Sequence, residues 1–346
     1  MRTDDLDFHL PPELIAQEPP EERHGARLLH YDPSRRSIAH RSFPDLPLLL
    51  RRGDLLVFND TRVLPARFML RKPTGGLIDA LFIAEAGVGR WRVLLRNLGR
   101  YAGPLLFNVD PTITATAVRI GDAGEYDLHI ATQEPALQLL EKLGRMPLPP
   151  YIRRQKLHDD RDDLDRQRYQ TVFAREAGSV AAPTAALHFS PAILDMLDAM
   201  GVQRAFVTLN VGMGTFKPVS ANTLDAHAMH SESYTISSDA AAAINAAKAD
   251  GRRVIAAGTT STRVLESQPI GPLVATSGQT SIFIYPPYQW KHVDGLVTNF
   301  HLPRSTLIAL VAAMVGLDEQ RRIYAAAIAE RYRFFSYGDA MYIGVV

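Results

Sequence analysis

Residues 294–310 read DGLVTNFHLPRSTLIAL, and the spacing of their apolar residues changes midway along the stretch. An apolar run of strand length comes first, and Pro303 closes it. Ser305 or Thr306 then stands where a helix N-cap belongs, in front of apolar residues at helical spacing. The stretch therefore predicts a strand, a polar turn and a helix.

The polar turn carries groups that suit an anion and a proton transfer. The free N–H groups of the first helical turn attract an anion, and Arg304 adds a positive charge beside them. Asn299 supplies a neutral donor or acceptor, and His301 can move a proton near neutral pH. The alternative interpretation is an ordinary capped helix with a surface histidine.

Helices and strands alternate through the second half of the chain. The sequence predicts helices over PAILDMLDAM and over SDAAAAINAAKAD, the latter capped by Ser238, and strands over RAFVTLNV, RRVIAAG and SIFIY. This alternation favours a largely parallel sheet with helices on its faces. Because ligands of such sheets bind at the carboxyl ends of the strands, the turns that follow strands are the expected place for a site.

The predicted secondary structure of residues 67–145 differs from that of the rest of the chain. Short strand-like pieces such as ARFMLRK, RWRVLL and YDLHI are separated by Gly, Pro and Asp, and helical spacing returns only at PALQLLEKLG. We therefore predict an α/β main domain of residues 1–66 and 146–346 with an inserted antiparallel β-barrel domain of residues 67–145. Earlier in the main domain, GDLLVFND reads as a buried strand that ends in a polar turn over residues 59–62.

Composition narrows the class of protein. The chain has 346 residues, enough for two domains with buried cores. Lys+Arg of 38 against Asp+Glu of 37 gives a net charge of +1, so a polyanion would have to meet a local basic patch. The absence of cysteine excludes disulfides, a thiolate nucleophile and a cysteine metal site. With no signal peptide or membrane span in the sequence, we expect a cytoplasmic protein.

Two further turns carry candidate binding groups. In AAGTTSTRVLE, Gly258 permits a tight turn and a run of hydroxyls leads into a helix, which can hold a carboxylate or a phosphate. Its spacing is not that of a P-loop, and a capped helix is the alternative interpretation. In VTLNVGMGTFKPV, Gly212 and Gly214 permit close approach of a flat ligand but lack the rest of a dinucleotide fingerprint. The histidines of AHAMHSES fit no common metal spacing, so no metal is predicted.

A basic and aromatic cluster lies in the predicted barrel. Arginine beside aromatic residues suits an RNA backbone and unstacked bases, and a solvated strand face is the alternative. The cluster consists of Arg90, Arg92, Arg96 and Arg100 with Trp91 and Tyr101. Near the C-terminus, residues 336–339 read as a turn before a final strand.

Taken together, these patterns resemble a known family. The matching segments include GDLLVFNDTRVLPAR, MPLPPYI, GSVAAPTAALHF, FVTLNVGMGTFKPV, RVIAAGTTSTR, VDGLVTNFHLPRSTLIALVAA and YRFFSYGDAM, spread over nearly the whole chain. The chain resembles the S-adenosylmethionine:tRNA ribosyltransferase-isomerases of queuosine biosynthesis. The resemblance implies an α/β domain with an inserted β-barrel. It also implies transfer of the ribosyl part of S-adenosylmethionine to 7-aminomethyl-7-deazaguanine at the tRNA wobble position, with loss of adenine and methionine.

The implied reaction assigns roles to residues. S-adenosylmethionine is a consumed co-substrate and tRNA is the partner, while no cofactor, metal or protein partner is implied. The sulfonium acidifies the neighbouring methylene, so a base is needed, and departing adenine requires a proton. We hypothesise that His188 or His301 moves protons and that Asp60 or Asp339 orients or assists. The predicted substrate-binding residues are Arg62, Thr184, Asn210, Gly212, Gly214, Thr259, Thr260, Ser261, Arg263, Asn299, Arg304, Ser305, Thr306 and Tyr337, and the four barrel arginines are the predicted RNA contacts.

The sequence departs from the family pattern at four positions. Asn210 and Arg145 stand where the family usually has histidine, Met213 replaces a small residue, and Pro287 replaces glycine. Asparagine cannot act as a base, but it can replace a histidine that only hydrogen-bonds. A non-catalytic tRNA-binding paralogue is therefore the alternative function. An S-adenosylmethionine-dependent methyltransferase is disfavoured, because no glycine-rich turn follows an early strand.

Overall fold

The computed structural model describes residues 1–121, 124–212 and 219–346. The chain forms two compact units. The first consists of Met1–Arg62, Pro149–Ile152 and Gln170–Val346, and the second of Val63–Leu148 and Arg153–Tyr169. An α/β unit and a closed antiparallel barrel are both present, which confirms the predicted fold class.

In chain order the strands are β1 (Arg27–Asp32), β2 (Ser37–Ser42), β3 (Leu55–Asn59), β4 (Thr61–Val63), β5 (Arg67–Arg71), β6 (Leu77–Gly87), β7 (Arg90–Arg96), β8 (Leu105–Phe107), β9 (Thr114–Arg119), β10 (Glu125–Ile130), β11 (Glu176–Ser179), β12 (Gln203–Leu209), β13 (Glu232–Ile236), β14 (Val254–Ala257), β15 (Thr276–Thr280), β16 (Gly295–Asn299) and β17 (Ala340–Ile343). The α-helices are α1 (Ala136–Leu143), α2 (Asp162–Arg168), α3 (Pro191–Ala199), α4 (Ser238–Ala249), α5 (Thr259–Glu266), α6 (Thr306–Val315) and α7 (Leu317–Ala329).

The first unit is built on one sheet, which has nine strands within the described ranges, in the order β15-β13-β12-β3-β14-β16-β17-β1-β2. The central strands β12, β3, β14 and β16 are parallel, so their carboxyl ends meet at one edge. β13 pairs antiparallel with β12, and β17 pairs antiparallel with β16. The sheet is therefore mixed, and the prediction of a largely parallel sheet is correct only for its centre. Between β16 and β17 the chain forms two successive helices rather than one, which returns it to the sheet in the opposite direction.

Both faces of the central strands are buried. Along β3, Leu55 and Val57 join the core beneath helices α4 to α7, and Leu56 and Phe58 join the core beneath α3. This alternation has the period of two expected of a strand, and burial on both faces explains why GDLLVFND is almost continuously apolar. A polar turn was expected over residues 59–62, but it consists of Asp60 alone, because β4 begins at the next residue.

The decisive stretch folds as predicted. β16 is followed by a turn and then by α6, and the Ser305 Oγ caps α6 by accepting from the Ile308 backbone N–H at 3.3 Å. Two neighbouring predictions were wrong in detail. Ser237, rather than Ser238, caps α4. Residues 281–285, SIFIY, form no strand; β15 precedes them, and their apolar side chains pack on the core without joining the sheet.

The barrel of the second unit closes in the order β10-β7-β6-β5-β8-β9. Along β7, Trp91, Val93 and Leu95 are buried inside, and the three arginines of the strand are exposed. β8 has only three residues, too short for its pattern to be recognised in the sequence. No helix in the described part of the chain is both long and apolar enough to cross a membrane.

The segment Arg153–Tyr169 lies in the second unit, although residues 146–346 were all expected in the main domain. Arg145 holds this segment. Its guanidinium donates to the carbonyls of Gln155 at 3.0 Å and Lys156 at 2.8 Å, and its Nε donates to the Asp162 Oδ1 at 2.9 Å. The arginine at this departure from the family pattern thus has a structural role within the barrel unit.

Candidate functional site

A cavity of about 60 Å³ lies in the first unit, at the carboxyl edge of the parallel strands. Gly258, Thr259 and Thr260 reach it from the end of β14, and residues 298–301 reach it from the end of β16. The remaining lining residues are Tyr151, Ala181, Ala182, Pro183, Thr184, Ala185, Val211, Leu302, Ser305, Leu307, Phe335 and Ser336. The predicted turns around Thr259 and Asn299 therefore converge, and the predicted binding residue Thr184 lines the same cavity.

Helix α5, which is buried along its whole length, presents hydroxyl groups to this cavity. All eight of its residues are buried. Its N-cap Gly258 has φ 100°, a left-handed conformation that a side chain would strain. The Thr260 Oγ1 is buried and has no hydrogen-bond partner among the described residues. The Ser261 Oγ instead donates to the Ala257 carbonyl at 3.2 Å, so this predicted binding group supports the helix.

Asn299 carries the second unpaired polar atom of the cavity. Its side-chain Nδ2 donates to the His188 Nε2 at 3.0 Å and to the Asp339 carbonyl at 3.4 Å. The Oδ1 has no partner in the described part of the chain, although the residue is only 2% exposed. A buried acceptor left unpaired costs about 1–3 kcal/mol. A ligand that donates a hydrogen bond to the Asn299 Oδ1 would remove this cost.

The two candidate histidines occupy different positions. His301 lines the cavity, with its Nε2 2.8 Å from the Thr298 Oγ1. His188 does not line it and lies behind Asn299. Desolvation lowers the pKa of each to about 3, with a further contribution at His188 from the charges of Arg333 and Arg23. Both imidazoles are neutral at pH 7, and only His301 can reach a molecule in the cavity.

Three polar residues contribute to the cavity although the sequence did not predict them as site residues. Thr298 holds the His301 ring, and the Tyr151 hydroxyl lies 2.7 Å from the Ser336 Oγ. Burial raises the pKa of Tyr151 to about 12, so its hydroxyl stays protonated. These residues stand in segments quoted for the family resemblance, but no residue pattern marked them as site residues.

A second cavity of about 20 Å³ lies in the same unit. Arg263 and Glu232 form a buried ion pair in its wall, and Thr306, His227 and His230 also line it. The Glu232 Oε1 accepts from the Gly212 backbone N–H at 2.9 Å. Within the described ranges no group of three or more residues suits a metal ion. Gly214 and Met213 lie outside the described residues.

Asp60 and Asn210 line a separate open groove. The Asp60 carboxylate accepts from the Arg175 Nη2 and the Thr208 Oγ1, each at 2.7 Å. Asn210 accepts from the Thr61 Oγ1 and donates to the Ser233 Oγ, both at 3.1 Å. The Asn210 side chain therefore links β4 to β13 through hydrogen bonds.

Other predicted residues also lie away from the first cavity. The Asp339 carboxylate accepts from the backbone N–H groups of Arg27 at 2.9 Å and Arg333 at 2.7 Å, which fixes the C-terminal turn. Tyr337 is buried in that turn, and Arg62 is half-buried in β4. Arg304 is exposed and lies 3.5 Å from the Asp4 carboxylate.

Three of the four barrel arginines share the outer face of β7, and the fourth follows that strand. Arg90, Arg92, Arg96 and Arg100 are all exposed. The Arg90 Nε donates to Asp127 at 3.1 Å. Trp91 is fully buried in the barrel core, so it does not present a ring on which a base could stack.

An α/β unit with a polar cavity at its parallel strand ends, in one chain with an antiparallel barrel, defines the class of two-unit α/β proteins with a candidate ligand site at the strand ends. Comparison with known proteins identifies the family. Residues 3–343 match the family described as queuosine biosynthesis protein. An S-adenosylmethionine:tRNA ribosyltransferase-isomerase of Ralstonia nicotianae is 50% identical over 346 residues, covering 98% of this chain and 94% of that protein.

A similar solved structure supports the same family. The crystal structure of S-adenosylmethionine tRNA ribosyltransferase from Thermotoga maritima matches with a TM-score of 0.56 and 33% identity, covering 98% of this chain and 99% of the other. The chain therefore belongs to the queuosine biosynthesis protein family, and it is a transferase/isomerase. The resemblance found in the sequence is confirmed.

Proposed function

We propose that this enzyme transfers and isomerises the ribosyl moiety of S-adenosylmethionine onto 7-aminomethyl-7-deazaguanine at the wobble position of tRNA. The products are epoxyqueuosine-tRNA, adenine and methionine. S-adenosylmethionine is consumed as a co-substrate, and the residues below supply the chemistry without a further cofactor. Because the polymer substrate is tRNA, we place the reaction in the cytoplasm.

The observation that carries this proposal is the pair of unpaired polar atoms in one cavity. The Asn299 Oδ1 can only accept a hydrogen bond, and the Thr260 hydroxyl can donate or accept one. An adenosyl group offers an amino donor, ring acceptors and ribose hydroxyls, which match these two atoms. The cavity lies at the carboxyl ends of β14 and β16, the usual ligand edge of such a sheet.

The geometry favours His301 as the proton acceptor. The reaction needs a base at the methylene beside the sulfonium, and His301 is the histidine that lines the cavity. Its ring is neutral at pH 7, so one ring nitrogen carries a lone pair that can accept a proton, which is the form a base requires. His188 instead bonds Asn299 from behind and acts as a positioning residue. Asp339 supports the same amide through its backbone carbonyl.

The barrel arginines are the proposed contacts with the tRNA backbone. An exposed strand face that carries several guanidinium groups suits phosphates, which position an RNA without reading its sequence. The net charge of only +1 makes such a local patch necessary for binding a polyanion.

The test is product release. The enzyme is incubated with S-adenosylmethionine and a tRNA that carries the aminomethyl-deazaguanine base, and adenine and methionine are followed by chromatography. We expect both products, and neither with tRNA lacking that base. His301→Gln should lower turnover at least about 100-fold, the scale of general acid–base catalysis.

Two other outcomes would contradict the proposal. S-adenosylhomocysteine as product would indicate a methyltransferase. Tight tRNA binding without release of adenine would indicate the non-catalytic paralogue, for which Asn210 is the sequence argument. The hydrogen bonds of Asn210 to Thr61 and Ser233 favour instead a tolerated replacement of a histidine.

A further inference from the structure

In the buried ion pair of the second cavity, the arginine has N–H groups to which no described residue is bonded. Arg263 is 5% exposed and its Nη1 bonds the Glu232 Oε2. Its Nε and Nη2 are buried and have no hydrogen-bond partner among the described residues. These two nitrogens form one edge of the guanidinium fork, the edge that binds a carboxylate through two parallel bonds. A buried cation with that edge unpaired is costly unless a ligand completes it.

The ion pair is suited to a ligand that carries both a negative and a positive charge. Glu232 lies next to the unpaired edge through its bond to Arg263, and a carboxylate can accept about four hydrogen bonds in total. A ligand with a carboxylate alone would meet Arg263 but would also meet the negative charge of Glu232. A zwitterion that carries an ammonium beside its carboxylate satisfies both charges.

The two cavities lie next to each other in the same unit. Thr260 lines the first and Arg263 lines the second, and these residues stand three positions apart on α5, a rise of about 4.5 Å. Such residues share one face of a helix. Leu307 lines both cavities and lies at their boundary. The walls of the second cavity include Met229, Phe283 and Leu310, which suit the methylene groups of an amino acid side chain.

We propose that Arg263 and Glu232 bind the α-amino acid head group of the methionine part of S-adenosylmethionine, while the first cavity holds the adenosyl part. Arg263 donates two hydrogen bonds to the carboxylate from its Nε and Nη2 edge, and Glu232 accepts from the ammonium. This inference rests on the proposed function, since it assigns one end of the same substrate. From the sequence, a carboxylate or phosphate was expected at the turn before α5 and an anion beside Arg304 at the N-terminus of α6, whereas this inference places the methionine carboxylate at the wall of the second cavity.

The test compares S-adenosylmethionine with its decarboxylated analogue, which keeps the sulfonium, the adenosyl group and the amine. Dissociation constants are measured by calorimetry with saturating tRNA that lacks the modified base, so that no turnover occurs. Wild-type enzyme should bind S-adenosylmethionine about 10- to 100-fold more tightly, the scale of a charge-assisted pair. In Arg263→Lys, which keeps the charge beside Glu232 but loses the planar fork, this preference should fall to about threefold or less.

Arg253→Lys is the matched control. Arg253 forms a similar ion pair with Asp54, where its Nε donates to the Asp54 Oδ1 at 2.8 Å, but it precedes β14 at the opposite end of that strand. This control should keep the wild-type preference. If Arg263→Lys does not fold, the double variant Arg263→Gln/Glu232→Gln removes both buried charges together and supplies the same comparison.

Equal binding of the two ligands by wild-type enzyme, or an unchanged preference in the Arg263 variants, would overturn the inference. A loss of affinity for both ligands by the same factor would also overturn it, because that is the signature of a structural role. In each of these cases the release of adenine and methionine by wild-type enzyme would still stand, so the proposed function is judged separately. If wild-type enzyme binds neither ligand and releases no adenine, the proposed function fails together with this inference.

Discussion

Replacing Thr260 with valine should stabilise the free enzyme and weaken ligand binding. Valine keeps the branched shape and removes only the hydroxyl, which is buried without a partner in the described part of the chain. Burial of an unpaired hydroxyl costs about 1–3 kcal/mol in proteins, so its removal should raise the free energy of unfolding by about 1–2 kcal/mol. For a domain of this size the midpoint of thermal unfolding should rise by about 2–4 °C per kcal/mol.

Thr262→Val is the matched control on the same helix. The Thr262 Oγ1 donates to the Gly258 carbonyl at 3.0 Å, and the side chain is fully buried. Removing that paired hydroxyl should lower the free energy of unfolding by about 0.5–1.5 kcal/mol. The two identical substitutions, two positions apart, should therefore shift stability in opposite directions.

Denaturant titration of both variants and calorimetric binding of S-adenosylmethionine measure the two effects. Loss of one neutral hydrogen bond to the ligand should raise the dissociation constant of Thr260→Val by about two- to twelvefold, and Thr262→Val should bind normally. If Thr260→Val destabilises the enzyme as much as Thr262→Val does, the hydroxyl is already satisfied in the free enzyme. In that case the Thr260 hydroxyl is not an unpaired group that a polar ligand would complete.

Three further perturbations test other parts of the structure. The folded pKa of His301, about 3, lies below the unfolded value near 6.5, so the unfolded state takes up the proton first as pH falls. The free energy of unfolding should therefore decrease below pH 6.5 by up to about 1.4 kcal/mol per pH unit, and His301→Gln should reduce that slope in denaturant titrations between pH 7 and 5. Arg92→Gln combined with Arg96→Gln should weaken tRNA binding about tenfold and flatten its salt dependence, while S-adenosylmethionine binding in filter assays stays unchanged. Arg145→Ala should accelerate amide hydrogen exchange across residues 153–169, because it removes the bonds that hold this segment, and unchanged exchange there would contradict its anchoring role.

Local patterns predicted most elements because the same residues satisfy local and global requirements. Ser305 caps α6 as expected, since an N-cap depends on a hydroxyl and the backbone within one turn. The strand predicted over SIFIY was wrong because its local pattern does not determine its place in the fold. Its apolar residues report burial, and burial is shared by strands and by extended segments that cross the core. The direction of β17 was likewise set by the number of helices before it, which no local pattern encodes.

The candidate site was predicted only in part. The turns around Thr259 and Asn299 were identified because parallel strand ends must meet at one edge. The burial of His188 behind Asn299, and the use of the Asp339 carboxylate to fix a turn, depend on side-chain directions that the sequence does not reveal. Tyr151 was missed because its contact with Ser336 joins residues that are far apart in the chain.

The burial of every residue of α5 constrains how this enzyme can change. A helix at the surface has a side on which mutations accumulate harmlessly, but α5 has none, so nearly any replacement there that changes the shape or volume of a side chain disturbs packing. New substrate preferences should therefore arise in the half-buried residues that complete the first cavity from other segments, such as Thr184, Leu302 and Leu307. A library intended to redirect the enzyme towards altered sulfonium compounds should vary these three positions and leave α5 intact.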